Sequence, residues 1–261
     1  MGHRYWILPR FSLRFAHVWR RNLRVWRKLA VPSMLGNLAD PLLYMFGLGY
    51  GLGRMLEDVG GLSYIAFLAA GIVCSSTMMS ASFEAMYSAF SRMHVQKTWD
   101  AILNAPLTLD DVVLGELVWA ASKSFLSGCA VLIVATALGL VPSPLAIAVV
   151  PLVFLTGLAF AGPGLIMTAL SPSYDFFMYY FTLVVTPMML LCGVFFPIDQ
   201  LPAAAQMVAQ ALPLTHAVSL ARPLVNGEVP AAWWLHIAVL AAYAVAGYYV
   251  ALALIRRRLL Q

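Results

Sequence analysis

Few side chains in this sequence could do chemistry, and most of them sit inside apolar stretches. Asp40, Glu84 and Lys123 fall within hydrophobic runs, with Glu116 and Asp175 nearer the ends of such runs. Ionisable groups at membrane depth are costly, face protein or water, and can mark a transport path. Glu84, close to the end of its run, reads equally well as a helix-end charge. His216 has no second ligand spaced for a metal and no nucleophile beside it, so a structural role is expected. With Asp199 it would form the best acid–base couple available, the kind an intramembrane acyl or glycosyl transferase would need. No Gly-Lys dipeptide occurs, hence no phosphate-cradling loop, and the HExxH and GxSxG signatures are missing. ATP, if it drives this protein, must be bound by another subunit. Cys74, Cys129 and Cys192 lie far apart in apolar runs without a CxxC. They read as small buried hydrophobes, and neither a metal site nor a disulfide framework is expected.

These residues are carried by a chain of 261 residues that is 62% hydrophobic and 10% charged. Soluble domains carry roughly 25% charged residues, so the solvent of this chain must be largely lipid. A disordered protein, a disulfide-stapled secreted module and an ordinary soluble enzyme are thereby excluded. A transmembrane helix takes about 20 apolar residues, and six stretches qualify, at about 32–53, 62–89, 112–140, 145–170, 176–196 and 233–255. They are apolar on all sides, unlike the alternating strands of a barrel. The expected fold is all-α and polytopic, with residues 1–31 as a cytoplasmic interface helix and 32–258 as the transmembrane domain. The first span is the least regular, since Asp40-Pro41 lies inside it and Gly47 to Gly53 is glycine-rich.

Basic residues set the orientation. Arg4, Arg10, Arg14, Arg20, Arg21, Arg24, Arg27 and Lys28 precede the first span; Arg92 and Lys97 follow the second; Arg256, Arg257 and Arg258 end the chain. The other side has Arg54 and Arg222. Both termini are therefore expected in the cytoplasm, and topology accounts for the net charge of +5 without nucleic acid. Residues 8–30 read as one amphipathic helix in the membrane interface, basic on one face and aromatic on the other. An inert anchor and a motion-transmitting helix fit it equally. The basic region is too long for a secretory signal and lacks an A-x-A site; an organellar transit peptide shares its composition.

The long cytoplasmic connection holds a short helix that Thr98 can cap, with Trp99, Ile102 and Leu103 near one face and Pro106 ending it. Thr108 and Asp111 form a capping-box-like start to the third span. Trp99 reads either as an exposed docking knob for a cytoplasmic partner or as an interface-belt residue. Between spans five and six, residues up to Val225 are too apolar for a solvated loop and are broken by Pro202, Pro213 and Pro223. Short re-entrant helices satisfy the backbone there. Tyr44, Tyr50, Tyr179 and Tyr180 could line a path for an amphipathic substrate, or face lipid. An ion-coupled carrier would show more intramembrane charges and an inverted repeat.

The basic N-terminal helix, the six spans, Ala105-Pro106-Leu107, and Cys192-Gly-Val-Phe-Phe-Pro-Ile-Asp-Gln-Leu-Pro202 followed by Pro213-Leu-Thr-His216 together resemble an ABC type-2 exporter permease. The likeness is greatest to the NodJ-like branch, the lipo-oligosaccharide (nodulation-factor) exporter permeases. Members often have Ser where this chain has Cys192. The resemblance covers nearly the whole chain and is most specific from Gly193 to Arg222. It implies an inner-membrane homodimer with two separate ATPase subunits that hold ATP and Mg, and no catalytic residue in this chain. It also implies that Trp99, Asp100, Ile102, Leu103, Ala105, Pro106 and Leu107 include the helix docked on the ATPase. Gly193, Phe195, Phe196, Pro197, Leu201, Pro202, Pro213 and His216 would belong to external re-entrant helices that close the path. A lipo-oligosaccharide, another glycolipid or polysaccharide, and a hydrophobic drug all suit such a scaffold. A transferase, a channel and a secondary carrier are the rival classes.

Overall fold

The computed structural model describes residues 5–53, 55–56, 59 and 61–259. Arg4 and Arg54 of the charge pattern lie outside the described residues. Those described are helical throughout, apart from loops and one isolated β-bridge between Val59 and Leu62. In chain order the helices are α1 (Phe15–Trp26), α2 (Ala30–Gly51), α3 (Tyr64–Val95), α4 (Thr98–Leu103), α5 (Leu109–Ala137), α6 (Pro144–Leu170), α7 (Phe176–Leu191), α8 (Ala203–Ala211), α9 (Pro213–Asn226) and α10 (Trp233–Leu259). Among them α3, α5, α6 and α10 are long and apolar enough to cross a membrane on their own. Helix α2 spends part of its length on Asn37, Asp40 and several glycines, and α7 is shorter than the ~20 residues a crossing takes.

The N-terminal helix begins later than the sequence suggests. Residues 7–12 are irregular rather than helical. Pro9 has no N–H to give a helix, and long-range partners hold this segment. Arg256 of α10 donates to the carbonyls of Tyr5 and Ile7, and Asp110 of α5 accepts from both Arg256 and the Arg10 amide. Helix α1 then turns Arg20 and Arg24 outward and seats Val18 on α5, where a Cβ at Gly115 would meet Val18 at 2.6 Å. Trp19 donates to Ser122 at 3.0 Å. A 3-10 turn, Arg27–Leu29, leads directly into α2.

Helices α6 and α10 cross with their backbones in contact. A Cβ on Gly162 would lie 2.8 Å from the Gly247 Cα, and one on Gly247 would lie 2.9 Å from the Gly162 Cα. Small residues let helices approach closely where lipid supplies no hydrophobic drive. Gly162→Ala is therefore expected to cost about 1–3 kcal/mol, seen as a lowered unfolding midpoint in detergent. Gly36→Ala, at a position with open space around it, should leave the midpoint unchanged or raise it.

Two apolar clusters fill the bundle. One runs through α2, the N-terminal halves of α3 and α6, the C-terminal half of α5, α7, α9 and the start of α10; the other joins α1, α4, the start of α7, the N-terminal half of α5 and the C-terminal halves of α3, α6 and α10. Helix α3 carries π turns at Glu84–Ser88 and Ser91–Val95, and α7 one at Phe181–Val185. Such insertions rotate the side chains that follow them and are frequent at functional sites. Here they face one another across an aromatic cluster in which Tyr87 meets Phe177 at 5.1 Å and Phe83 meets Phe181 at 6.1 Å.

Candidate functional site

Four charged residues from α3 and α5 meet in one buried network. Glu84, Ser88 and Arg92 recur every four residues along α3; Glu116, Trp119 and Lys123 share a face of α5 by the same helical geometry. One oxygen of Glu84 accepts from Arg92 at 3.0 Å and from the Trp119 indole at 2.7 Å; the other accepts from Lys123 at 2.7 Å and Ser88 at 2.8 Å. Glu116 takes the Arg92 guanidinium through both its oxygens, at 2.5–3.1 Å. Both carboxylates are nearly fully buried, and the charges balance. Glu84 is thus neither an isolated helix-end charge nor a lone transport carboxylate.

The same network fixes α4. Trp99 is fully buried in the cluster that joins α1, α4 and α10 and donates its indole N–H to Glu116 at 3.1 Å. It is therefore not an exposed docking knob: only the buried side of α4 offers its indole both apolar contact and an acceptor. Ile102, Leu103 and Leu107 pack against the same cluster. The exposed rim is made by Lys97, Asp100, Ala101, Asn104, Ala105 and Pro106. Lys97, with φ of 52°, precedes the helix, so Thr98 is its first residue rather than its cap. Arg14 donates to the Pro106 carbonyl at 2.9 Å and ties the approach to α1 to this loop. The capping box at Thr108 and Asp111 is complete in both directions.

At the other end, Gly193 adopts φ of +73°, a conformation that favours glycine. Its carbonyl accepts from Arg222 of α9 at 2.6 Å, and the same guanidinium lies 3.6 Å from the centre of the Phe67 ring. Burial pulls Arg222 down to about 10, which still leaves it charged at neutral pH. Tyr64 donates to the Phe195 carbonyl at 3.1 Å. Phe196 and Pro197 lead to a 3-10 turn, Ile198–Gln200; Gln206 donates to the carbonyls of Asp199 and Leu201; Pro202 and Pro213 stand at the starts of α8 and α9.

His216 is not solitary. Its Nδ1 lies 2.7 Å from Nδ1 of His236 on α10, and its Nε2 lies 2.9 Å from the Gln210 carbonyl. A carbonyl only accepts, so His216 carries its proton on Nε2, and His236 donates to His216 in the neutral pair. Asp199 is exposed and its carboxylate forms no part of this arrangement. The His216–Asp199 couple is not formed, because the α8 turn holds Asp199 away from α9.

Between α2, α3 and α5 lies an open groove of about 320 Å³. Its polar wall consists of Asn37, Asp40, Ser75, Ser76, Ser80 and Ser127. Ser76 and Ser127 are 3.0 Å apart, and Asn37 donates to Ser80 at 3.3 Å. Sequence reasoning missed this stripe, although Ser76 and Ser80 stand one helical turn apart. Of the tyrosines singled out earlier, Tyr44 lines the groove and packs on Phe195. Tyr50 is exposed beside Phe46, Tyr179 is exposed on α7, and Tyr180 packs against the apolar core, since neighbouring residues of a helix point about 100° apart.

Residues 13–225 match the family model described as ABC-2 type transporter. Nodulation protein J of Rhizobium leguminosarum bv. viciae is 50% identical over 254 residues, covering 97% of this chain and 98% of that protein. Nodulation protein J of Rhizobium meliloti (strain 1021) is 49% identical over 253 residues, 97% of each chain. A more distant relative, the inner membrane transport permease YadH of Escherichia coli (strain K12), is 25% identical over 259 residues, 98% of each.

Proposed function

From the premise that this chain belongs to the ABC-2 type transporter family, we propose that it forms the membrane path of an exporter moving a lipo-oligosaccharide outward across the inner membrane. The chain is a multi-pass permease subunit of an ABC transporter, it works with an ATPase partner, and it is not itself an enzyme.

In the proposed arrangement the chain crosses six times, with α2 and the broken α7 as the first and fifth spans, and both termini lie in the cytoplasm. ATP and Mg reside on two partner ATPases, consistent with a chain that has no phosphate-cradling loop. A second copy of the chain covers exposed apolar side chains, Leu43 and Phe46 of α2 and Tyr179 and Leu183 of α7. ATPase closure pushes on the rim of α4, the buried Trp99–Glu116–Arg92–Glu84 network carries the push into α3 and α5, and the two subunits rock apart. The segment from Gly193 to Arg222, pinned by the Arg222 bond, closes the external end.

The observation that carries the substrate class is the groove between α2, α3 and α5. Its serines, Asn37 and Asp40 offer hydrogen bonds to sugar hydroxyls, while Tyr44, Phe83 and Met189 offer an apolar side to an acyl chain. A purely hydrophobic drug would cover Asp40 and the serine wall without offering them any hydrogen bond. The relatives named Nodulation protein J favour the same class. The test is ATP-dependent transfer of a fluorescent lipo-oligosaccharide across vesicles holding the permease and its ATPase. Transfer of a hydrophobic dye without transfer of the glycolipid would assign a drug exporter instead. Turnover of lipid-linked substrate by the permease alone would assign a transferase.

A further inference from the structure

A second void lies on the cytoplasmic side, between α1 and the inner halves of α3 and α5, with a volume of about 460 Å³. Asn22, Arg21, Lys123, Trp26, Tyr87 and Tyr174 form the parts of its wall that matter here. Asn22 is 3% exposed. Its carbonyl oxygen accepts from Arg21 at 2.9 Å, but its amide nitrogen has no partner among the described residues. A buried donor left unsatisfied is costly and rare; one that borders a cavity is explained by a ligand that supplies the acceptor.

The rest of the wall points to the chemistry of that ligand. Arg92 and Lys123 bind the carboxylates of Glu84 and Glu116, whereas among the described residues Arg21 has no carboxylate partner. The cavity therefore donates more hydrogen bonds than it accepts and suits a group rich in acceptor oxygens. The rings of Trp26 and of the exposed Tyr174, backed by Tyr87, suit the C–H faces of sugar rings rather than a compact phosphate.

Position gives this cavity a place in the path. A narrow void of about 10 Å³ shares Trp26 and Lys123 with it, and Asn37 and Ser127 with the serine groove. The middle void thus adjoins the other two between α2 and α5, and it is too small for a sugar ring. We infer that the cavity under α1 receives the oligosaccharide head of an amphipathic lipid on the cytoplasmic side and holds it before the Trp26–Lys123 constriction opens. This rests on the exporter reading above and adds to it a site, an unpartnered donor and a closed gate.

The experiment uses the permease with its ATPase in phospholipid nanodiscs. The probes are a short oligosaccharide bearing one fluorescent acyl chain, and phosphatidylglycerol bearing the same chain. Asn22→Leu keeps the side-chain size and removes the orphan amide. A merely structural Asn22 would give a variant at least as stable with unchanged binding. The expected result is equal or higher thermal stability together with glycolipid binding weakened about tenfold. In a second variant, Gln96→Cys, at the exposed mouth of the cavity, maleimide labelling above the wild-type background should be slowed by the glycolipid and not by the phosphatidylglycerol probe. Unchanged glycolipid affinity and export in Asn22→Leu would overturn the site while leaving the exporter reading intact. Equal protection of Cys at position 96 by phosphatidylglycerol would assign a phospholipid site and overturn it as well. A wild-type complex that hydrolyses ATP and exports a drug but not the glycolipid would remove the exporter reading, and this site with it.

Discussion

Replacing Glu84 with leucine is expected to destabilise the chain by about 3–5 kcal/mol, the range for breaking a buried ion pair by removing one partner. The loss would strand the Lys123 ammonium, the Trp119 indole N–H and the Ser88 hydroxyl, each of which now donates to Glu84. Arg92 would keep Glu116. The double variant Glu84→Leu with Lys123→Met removes the stranded charge along with its partner and should recover much of the loss, since a well-packed apolar pair can replace a buried ion pair at little cost. A double-mutant cycle on unfolding in detergent reads the coupling directly. Asp40→Asn is the contrast: that carboxylate is exposed and bonded to nothing among the described residues, so its change should stay within about 0.5 kcal/mol. A Glu84→Leu variant as stable as wild type, or a double variant no better than the single, would show that the network is not what locks α3 to α5.

What the sequence discloses and what it hides follow the range over which each signal acts. Long apolar runs announce helices because a single segment carries the whole signal, and α3, α5, α6 and α10 lie where the runs do. The Thr108–Asp111 capping box is legible for the same reason, as its partners stand three residues apart. The charged network is only half legible. Its residue types and spacing along each helix can be read, but Glu84 meets Lys123 across 39 residues and Arg92 meets Glu116 across 24, and no local pattern pairs them. His216 looked solitary because His236 belongs to the next span. Helix α4 has six residues, fewer than two turns, so periodicity could not decide which side of it Trp99 takes; the acceptor that decides it, Glu116, is on another helix. The late start of α1 likewise depends on Arg256 and Asp110, more than a hundred residues from Pro9. The serine groove stayed hidden because serine in an apolar helix reads as a small packing residue until a neighbouring helix leaves it uncovered.

The burial of Trp99 also separates two effects that a deletion of the loop between α3 and α5 would merge. If the rim of α4 is where the ATPase docks, Asp100→Lys combined with Ala101→Glu should lower partner-stimulated ATP hydrolysis at least about tenfold while changing the unfolding midpoint little, because both residues are exposed and exposed substitutions usually stay within ±0.5 kcal/mol. Trp99→Ala should behave in the opposite order. It empties a fully buried site, leaves a Glu116 oxygen without one of its donors, and should cost about 3–5 kcal/mol before any partner is added. Trp99→Phe, which keeps most of the volume and loses the indole N–H, should fall between, with loss of one hydrogen bond to a charged acceptor costing about 1.5–3 kcal/mol. Unfolding midpoints of the permease alone, set beside ATPase rates of the assembled complex, distinguish the two classes. Retention of full ATPase stimulation and assembly by the Asp100→Lys, Ala101→Glu variant would move the docking surface off α4. The next surface to test would then be Arg14, because it is exposed and its bond to the Pro106 carbonyl already joins the N-terminal segment to the same loop.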